Sequence, residues 1–127
     1  MSVQYHEFGI VPIPDKTLSS PSELVAFFRQ FDEPMAGELT HPNGFMLTIC
    51  TDGELATVQF SNTDGDPPYL VALSPLQIVE GSHIFIVTTS DTEIDSKHCL
   101  SRAVFEDIAC YFLETGERSP AVAWEEV

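Results

Sequence analysis

Positive charge is what this sequence has least of. Lys and Arg together number 5 of the 127 residues against 20 Asp and Glu, and the formal net charge is −15. Holding DNA, RNA or an anionic membrane surface takes clustered Lys and Arg, so the chain is a poor candidate for direct contact with any of them. Two readings of the acidity stay open: it keeps the protein soluble, or it complements a basic partner. Long apolar runs are also missing. No stretch approaches the roughly 18 apolar residues that cross a bilayer. Met1 to Ile10 shows no basic region followed by an apolar run, so a cytoplasmic location is expected. The three cysteines, Cys50, Cys99 and Cys110, are odd in number and widely spaced, which argues against a disulfide framework. Gly53, Gly65, Gly81 and Gly116 stand singly, so there is no glycine-rich phosphate loop. Internal repeats and low-complexity segments are absent as well.

What is present suffices for a fold. Apolar residues make up 43% of the chain and charged residues 20%, close to ordinary globular usage. The length suits one domain. Residues 1–19 read as a mostly irregular arm or edge strand, because Pro12 and Pro14 interrupt it. Ser20-Pro21-Ser22-Glu23 then carries an N-cap, a proline at the first helical position and a capping-box glutamate. Leu24, Phe27, Phe28 and Phe31 follow at helical spacing, which predicts a helix over 21–32 that ends before Pro34. Residues 45–60 read as a hairpin turning at Thr51-Asp52-Gly53-Glu54. Further strands are expected at 69–73 and 84–89, with a short one at 76–80 or 93–97. Ser101 caps a second helix with Val104, Phe105, Ile108, Tyr111 and Phe112 on its apolar face. Arg102, Glu106, Asp107, Cys110 and Glu114 fall on its other face, and Gly116 ends it. A last strand is expected at 121–125. This order predicts an α+β fold, with two main helices and a mostly antiparallel sheet of about five to six strands, as a single domain over 20–127.

The chemistry-bearing residues form no catalytic pattern. His98-Cys99 is the only adjacent His/Cys pair, and neither C-x-x-C nor H-E-x-x-H occurs. No G-x-S-x-G turn is present for a nucleophilic serine. Asp64 and Asp66 resemble the start of a calcium loop, but the run meets Pro67-Pro68 and has Pro75 where the twelfth-position glutamate belongs. The expectation is therefore no catalytic residues, no metal and no cofactor.

The loop Phe60-Ser61-Asn62-Thr63-Asp64-Gly65-Asp66-Pro67-Pro68-Tyr69 follows the hairpin. Downstream come a helix ending Phe112-Leu113-Glu114-Thr115-Gly116 and a terminal Val122-Ala123-Trp124-Glu125-Glu126-Val127. In this combination, over roughly residues 20–127, the chain resembles the Imm-one family of bacterial immunity proteins. That family accompanies polymorphic toxins, commonly those with nucleic-acid deaminase domains. The resemblance implies a small α+β inhibitor of a cognate toxin, without catalysis. It supplies no list of toxin contacts.

The charge supports the same partner independently, since a toxin acting on nucleic acid needs a basic groove. Candidate contacts are the loop residues Asp64, Asp66 and Tyr69, the turn residues Asp52 and Glu54, and the acidic run Asp91, Glu93 and Asp95. The terminal Trp124, Glu125 and Glu126 complete the set. Plainer structural roles stay open: turn capping for Asp66, core packing for Tyr69 and Trp124, and ordinary solvated turns for Asp52, Glu54 and the 91–95 run; Glu125 and Glu126 alternate across their strand, so at most one faces solvent. Two further readings compete: a DNA-mimic regulator of another basic protein, and a small hydrolase using His98 or Cys99. A homodimer paired through a sheet edge also stays open.

Overall fold

The computed structural model describes residues 2–9, 12–87 and 90–127. Its architecture is α+β. Eight strands form one antiparallel sheet: β1 (Val3–Glu7), β2 (Lys16–Leu18), β3 (Met35–Thr40), β4 (Phe45–Thr51), β5 (Leu55–Asn62), β6 (Leu70–Ala72), β9 (Leu100–Ser101) and β10 (Trp124–Glu126). The order is β10-β6-β5-β4-β3-β1-β2, with β9 pairing the turn end of β5. The remaining strands, β7 (Ser82–Val87) and β8 (Ser90–Asp95), form a separate two-stranded ribbon. The helices are α1 (Pro21–Arg29) and α2 (Arg102–Thr115).

The expected five to six strands fall short of this count. The N-terminal segment is not an irregular arm: β1 lies inside the sheet between β2 and β3, and β2 is the edge. Residues 10 and 11 of the Pro12/Pro14 stretch lie outside the described residues, as do 88 and 89 of the strand expected at 84–89. No strand forms at 76–80, whereas β8 covers part of the alternative at 93–97. The last strand starts at Trp124, three residues later than expected.

Strand β3 escapes pattern reading because Gly37 interrupts its apolar alternation. A Cβ there would run into the Tyr5 hydroxyl and the His6 carbonyl. The position is bare so that Tyr5, fully buried, can lie across it and donate its hydroxyl to Glu7 at 2.8 Å. Both helix starts follow the sequence. The Glu23 N–H donates to Ser20 Oγ at 3.1 Å, and Ser19 N–H donates back to the Glu23 carboxylate at 2.7 Å. Gly116, at φ 72°, closes α2 in the left-handed conformation with its N–H on the Phe112 carbonyl.

Both helices pack on one face of the sheet. Their meeting point is Phe28 edge-on against Phe105, with ring centroids 5.1 Å apart. Leu47, Ile49, Val58 and Phe60 rise from the sheet to complete this core. The buried surface of α2 is wider than its predicted stripe because α1 lies along its flank. Glu106, expected on the polar face, is buried and takes a two-pronged hydrogen bond from Arg29 at 2.8 and 2.9 Å. Cys110 is half-buried with its thiol directed at the Pro21 carbonyl, while Tyr111, expected inside, is exposed. The ribbon lies on the other face of the sheet, over β3 and β4. Among the described residues no helix is long and apolar enough to cross a membrane.

Candidate partner-binding surface

The candidate acids separate into groups at opposite ends of the β4–β5 hairpin. Asp52 and Glu54 form its tip, while the loop carrying Asp64, Asp66 and Tyr69 leaves the far end of β5. The eight residues of β5 span roughly 23 Å at the usual strand rise. One partner contact patch of modest size does not need both.

The loop at the far end is occupied with itself. Asp64 accepts the Asp66 N–H at 2.9 Å, Gly65 N–H donates to the Asn62 carbonyl at 3.1 Å, and the half-buried Tyr69 donates its hydroxyl to the Gly65 carbonyl. The Pro67-Pro68 bond is cis. Asp64 is thus a turn-capping residue, and Tyr69 closes the same turn. Trp124 packs toward Phe60 at 6.3 Å and donates its indole N–H to the Ser119 carbonyl at 3.0 Å, which makes it part of the core margin. Glu125 turns to the opposite face of the sheet. There it pairs with Lys97 at 3.1 Å and His98 at 2.9 Å, and those hydrogen bonds hold its carboxyl below the usual range. Glu126 is exposed.

At the tip, the ribbon is joined to the hairpin. His83 Nε2 meets Asp52 Oδ2 at 2.5 Å, and Asp52 Oδ1 accepts the Leu55 and Glu54 N–H groups at 3.0 and 3.3 Å. Burial pushes the Asp52 carboxyl up. The Leu55, His83 and Glu54 hydrogen bonds together outweigh that and hold it below its ordinary value. Next to His83, Phe85 is 2% exposed beneath the ribbon. It is the ribbon's one buried side chain among the described residues.

The ribbon's outward face holds the feature that pattern reading missed. Strand pairing sets Ile86 opposite Asp91, Ile84 opposite Glu93 and Ser82 opposite Asp95. All six share one face, and all are exposed; Ile84 is 56% and Ile86 39% accessible. Two more exposed apolar side chains, Leu76 and Ile78, stand in the loop leading into β7. The strand expected at 84–89 rests on β-branched residues alone, which does not say which side chains face outward. No Lys or Arg lies between Arg29 and Lys97 in the chain; Lys97 itself follows Asp95, whose Oδ1 caps the next turn by accepting the Lys97 N–H at 3.1 Å.

The residues weighed for catalysis do not converge. His98 faces Glu125, whereas the buried Cys99 thiol faces the Ile94 and Asp95 carbonyls. Burial pushes Cys50 up to about 11 and raises Cys99 and Cys110, so these thiols stay protonated at neutral pH. Among the described residues no three His, Cys, Asp or Glu side chains are grouped to hold a metal ion. A groove of about 310 Å³ lies between the sheet and the ribbon, lined by Thr48, Cys50, Gln59, Val71, Ile94 and His98. No family model matches the chain, and no curated protein matches it.

Proposed function

We propose that this protein is a cytoplasmic, immunity-type inhibitor that binds a toxin with a basic substrate groove, one that modifies nucleic acid, and that it neutralises the toxin by covering that groove. The observation that carries the reading is the acid-flanked isoleucine pair on the β7–β8 ribbon. An exposed apolar centre beside Asp91, Glu93 and Asp95 supplies what a tight, fast inhibitor needs. The apolar centre gives affinity once water is excluded. The carboxylates raise the association rate toward a positive surface. A net charge of −15 opposes pairing of this face with a second copy of itself. The resemblance of the Gly65-Asp66-Pro67-Pro68-Tyr69 loop and the Trp124-Glu125-Glu126 end to the Imm-one family supports a toxin as the partner and a deaminase as its chemistry. In this reading the loop serves the fold and the ribbon serves recognition.

The test is rescue of growth. Cells expressing the toxin encoded beside this gene survive when this protein is co-expressed. Replacing Ile84 and Ile86 with Ser removes the protection, while replacing His98 and Cys99 with Ala leaves it intact. Failure of the unaltered protein to protect refutes the reading.

A further inference from the structure

We infer that the outward face of the β7–β8 ribbon docks as a protein copy of one extended strand of nucleic acid, in a groove that the partner uses for single strands. The inference rests on the proposed function and goes further by naming the substrate class of the groove.

The spacing of the charges is the first argument. Asp91, Glu93 and Asp95 occupy alternate, exposed positions of β8. With a rise of about 3.4 Å per residue, these positions repeat about every 7 Å along the strand. Successive phosphates advance about 3.4 Å along a stacked duplex strand, and about twice that when the bases unstack and the strand extends. The acids therefore keep step with an unstacked strand.

What stands beside the charges is the second argument. Ile86 lies opposite Asp91 and Ile84 opposite Glu93. Neighbouring strands are about 4.8 Å apart. Each of these carboxylates thus has an apolar group at its side, as each phosphate of an extended strand has a base. Grooves that bind single strands combine a positive track for the backbone with flat apolar platforms for the bases. The track fits the β8 acids and the platforms fit the β7 isoleucines.

The third argument separates single strands from duplexes. A duplex presents two charged rails across grooves of about 6 and 12 Å. On the ribbon's outer face β7 contributes Ser82, Ile84 and Ile86, none of them acidic. There is one rail, flanked by Ile86 beside Asp91, Ile84 beside Glu93 and the uncharged Ser82 beside Asp95.

The experiment uses the purified toxin encoded beside this gene, inactivated at its catalytic centre, with a fluorescent 20-nucleotide single-stranded DNA, the matching RNA and a 20-base-pair duplex as probes. This protein is expected to displace a bound single strand competitively. The Asp91→Asn, Glu93→Gln, Asp95→Asn variant should need at least about tenfold more protein for the same displacement. A control that removes three charges elsewhere, Asp107→Asn, Glu114→Gln and Glu117→Gln on and just after the exposed side of α2, should stay within about twofold. Circular dichroism melts confirm that both variants are folded. Equal weakening by both triples would show undirected charge attraction and overturn the inference. Displacement of the duplex alone would overturn it as well, and the proposed function survives either result; a ternary complex of toxin, oligonucleotide and this protein would overturn both, because the groove would then not be covered. Absence of any toxin complex overturns both.

Discussion

The ribbon's attachment leads to a prediction that separates local from global stability. Phe85→Ala removes the ribbon's one buried side chain among those described and leaves the His83–Asp52 contact in place. Truncating a buried Phe costs about 3–5 kcal/mol. A domain of this size holds about 5–15 kcal/mol in total, so such a loss spread over the whole fold would be conspicuous. The geometry directs it elsewhere. Phe85 lies on the sheet face away from the helices and belongs to no part of the helix-side core, where Phe28, Phe105 and Phe112 sit. An undocked two-stranded ribbon is barely stable in water. The loss should therefore appear as opening of β7 and β8, by a factor of roughly a hundred at about 3 kcal/mol. Native-state hydrogen exchange reads this directly. Amides in 82–87 and 90–95 should exchange about a hundredfold faster, while those of the β4–β5 ladder hold near their original protection. Equal acceleration in α2 and in the ladder would show that Phe85 supports the whole fold, and the reasoning would fail.

Three other outcomes follow from contacts described above. Asp52 has its carboxyl held below the ordinary range, so its contribution is complete above the unfolded value and disappears as pH falls through the lower folded one. Urea titrations at pH 6 and pH 3 should therefore show a larger loss for the unaltered protein than for Asp52→Asn, and equal losses would remove Asp52 from the acid response. Arg29→Ala leaves the buried Glu106 carboxylate without its two donors and should lower the urea midpoint more than Arg29→Ala does in a Glu106→Gln background; chemical denaturation of the three variants decides, and equal shifts would show that the pair contributes nothing. Gly37→Ala forces a methyl group against the Tyr5 hydroxyl and the His6 carbonyl, and should cost about 1–3 kcal/mol, read as a lowered thermal midpoint; an unchanged midpoint would mean that β1 gives way freely.

What could be read from the sequence was local. Ser20, Pro21 and Glu23 start α1 through bonds made within four residues, and Gly116 ends α2 in the same way. The β4–β5 hairpin announces itself by alternation and by the Asp52-Gly53 turn. What escaped depends on distant parts of the chain. Gly37 interrupts β3 for the sake of Tyr5, some thirty residues away, and Glu106 is buried because Arg29 reaches it from another helix. The candidate surface shows the same division. The acids of 91–95 could be named from sequence, because alternate carboxylates in a β-prone run stand out. That Ile84 and Ile86 face outward beside them could not, since a run of apolar residues does not say which of its faces is covered. Only the register of β7 against β8, with Phe85 turned inward, sets those side chains together.

The ribbon's shallow footing has a consequence for how such a protein changes over generations. Ser82, Ile84, Ile86, Asp91, Glu93 and Asp95 all face away from the sheet, and among its described side chains the ribbon commits only Phe85 fully to the interior. Exchanges at exposed positions usually alter stability by no more than about 0.5 kcal/mol. Under the proposed function, six contact positions can therefore drift together, exchanging one partner for another, while the helix-covered side of the sheet keeps its composition. Selection for a new target and selection for a foldable chain act on different faces of the same molecule, and neither has to wait for the other.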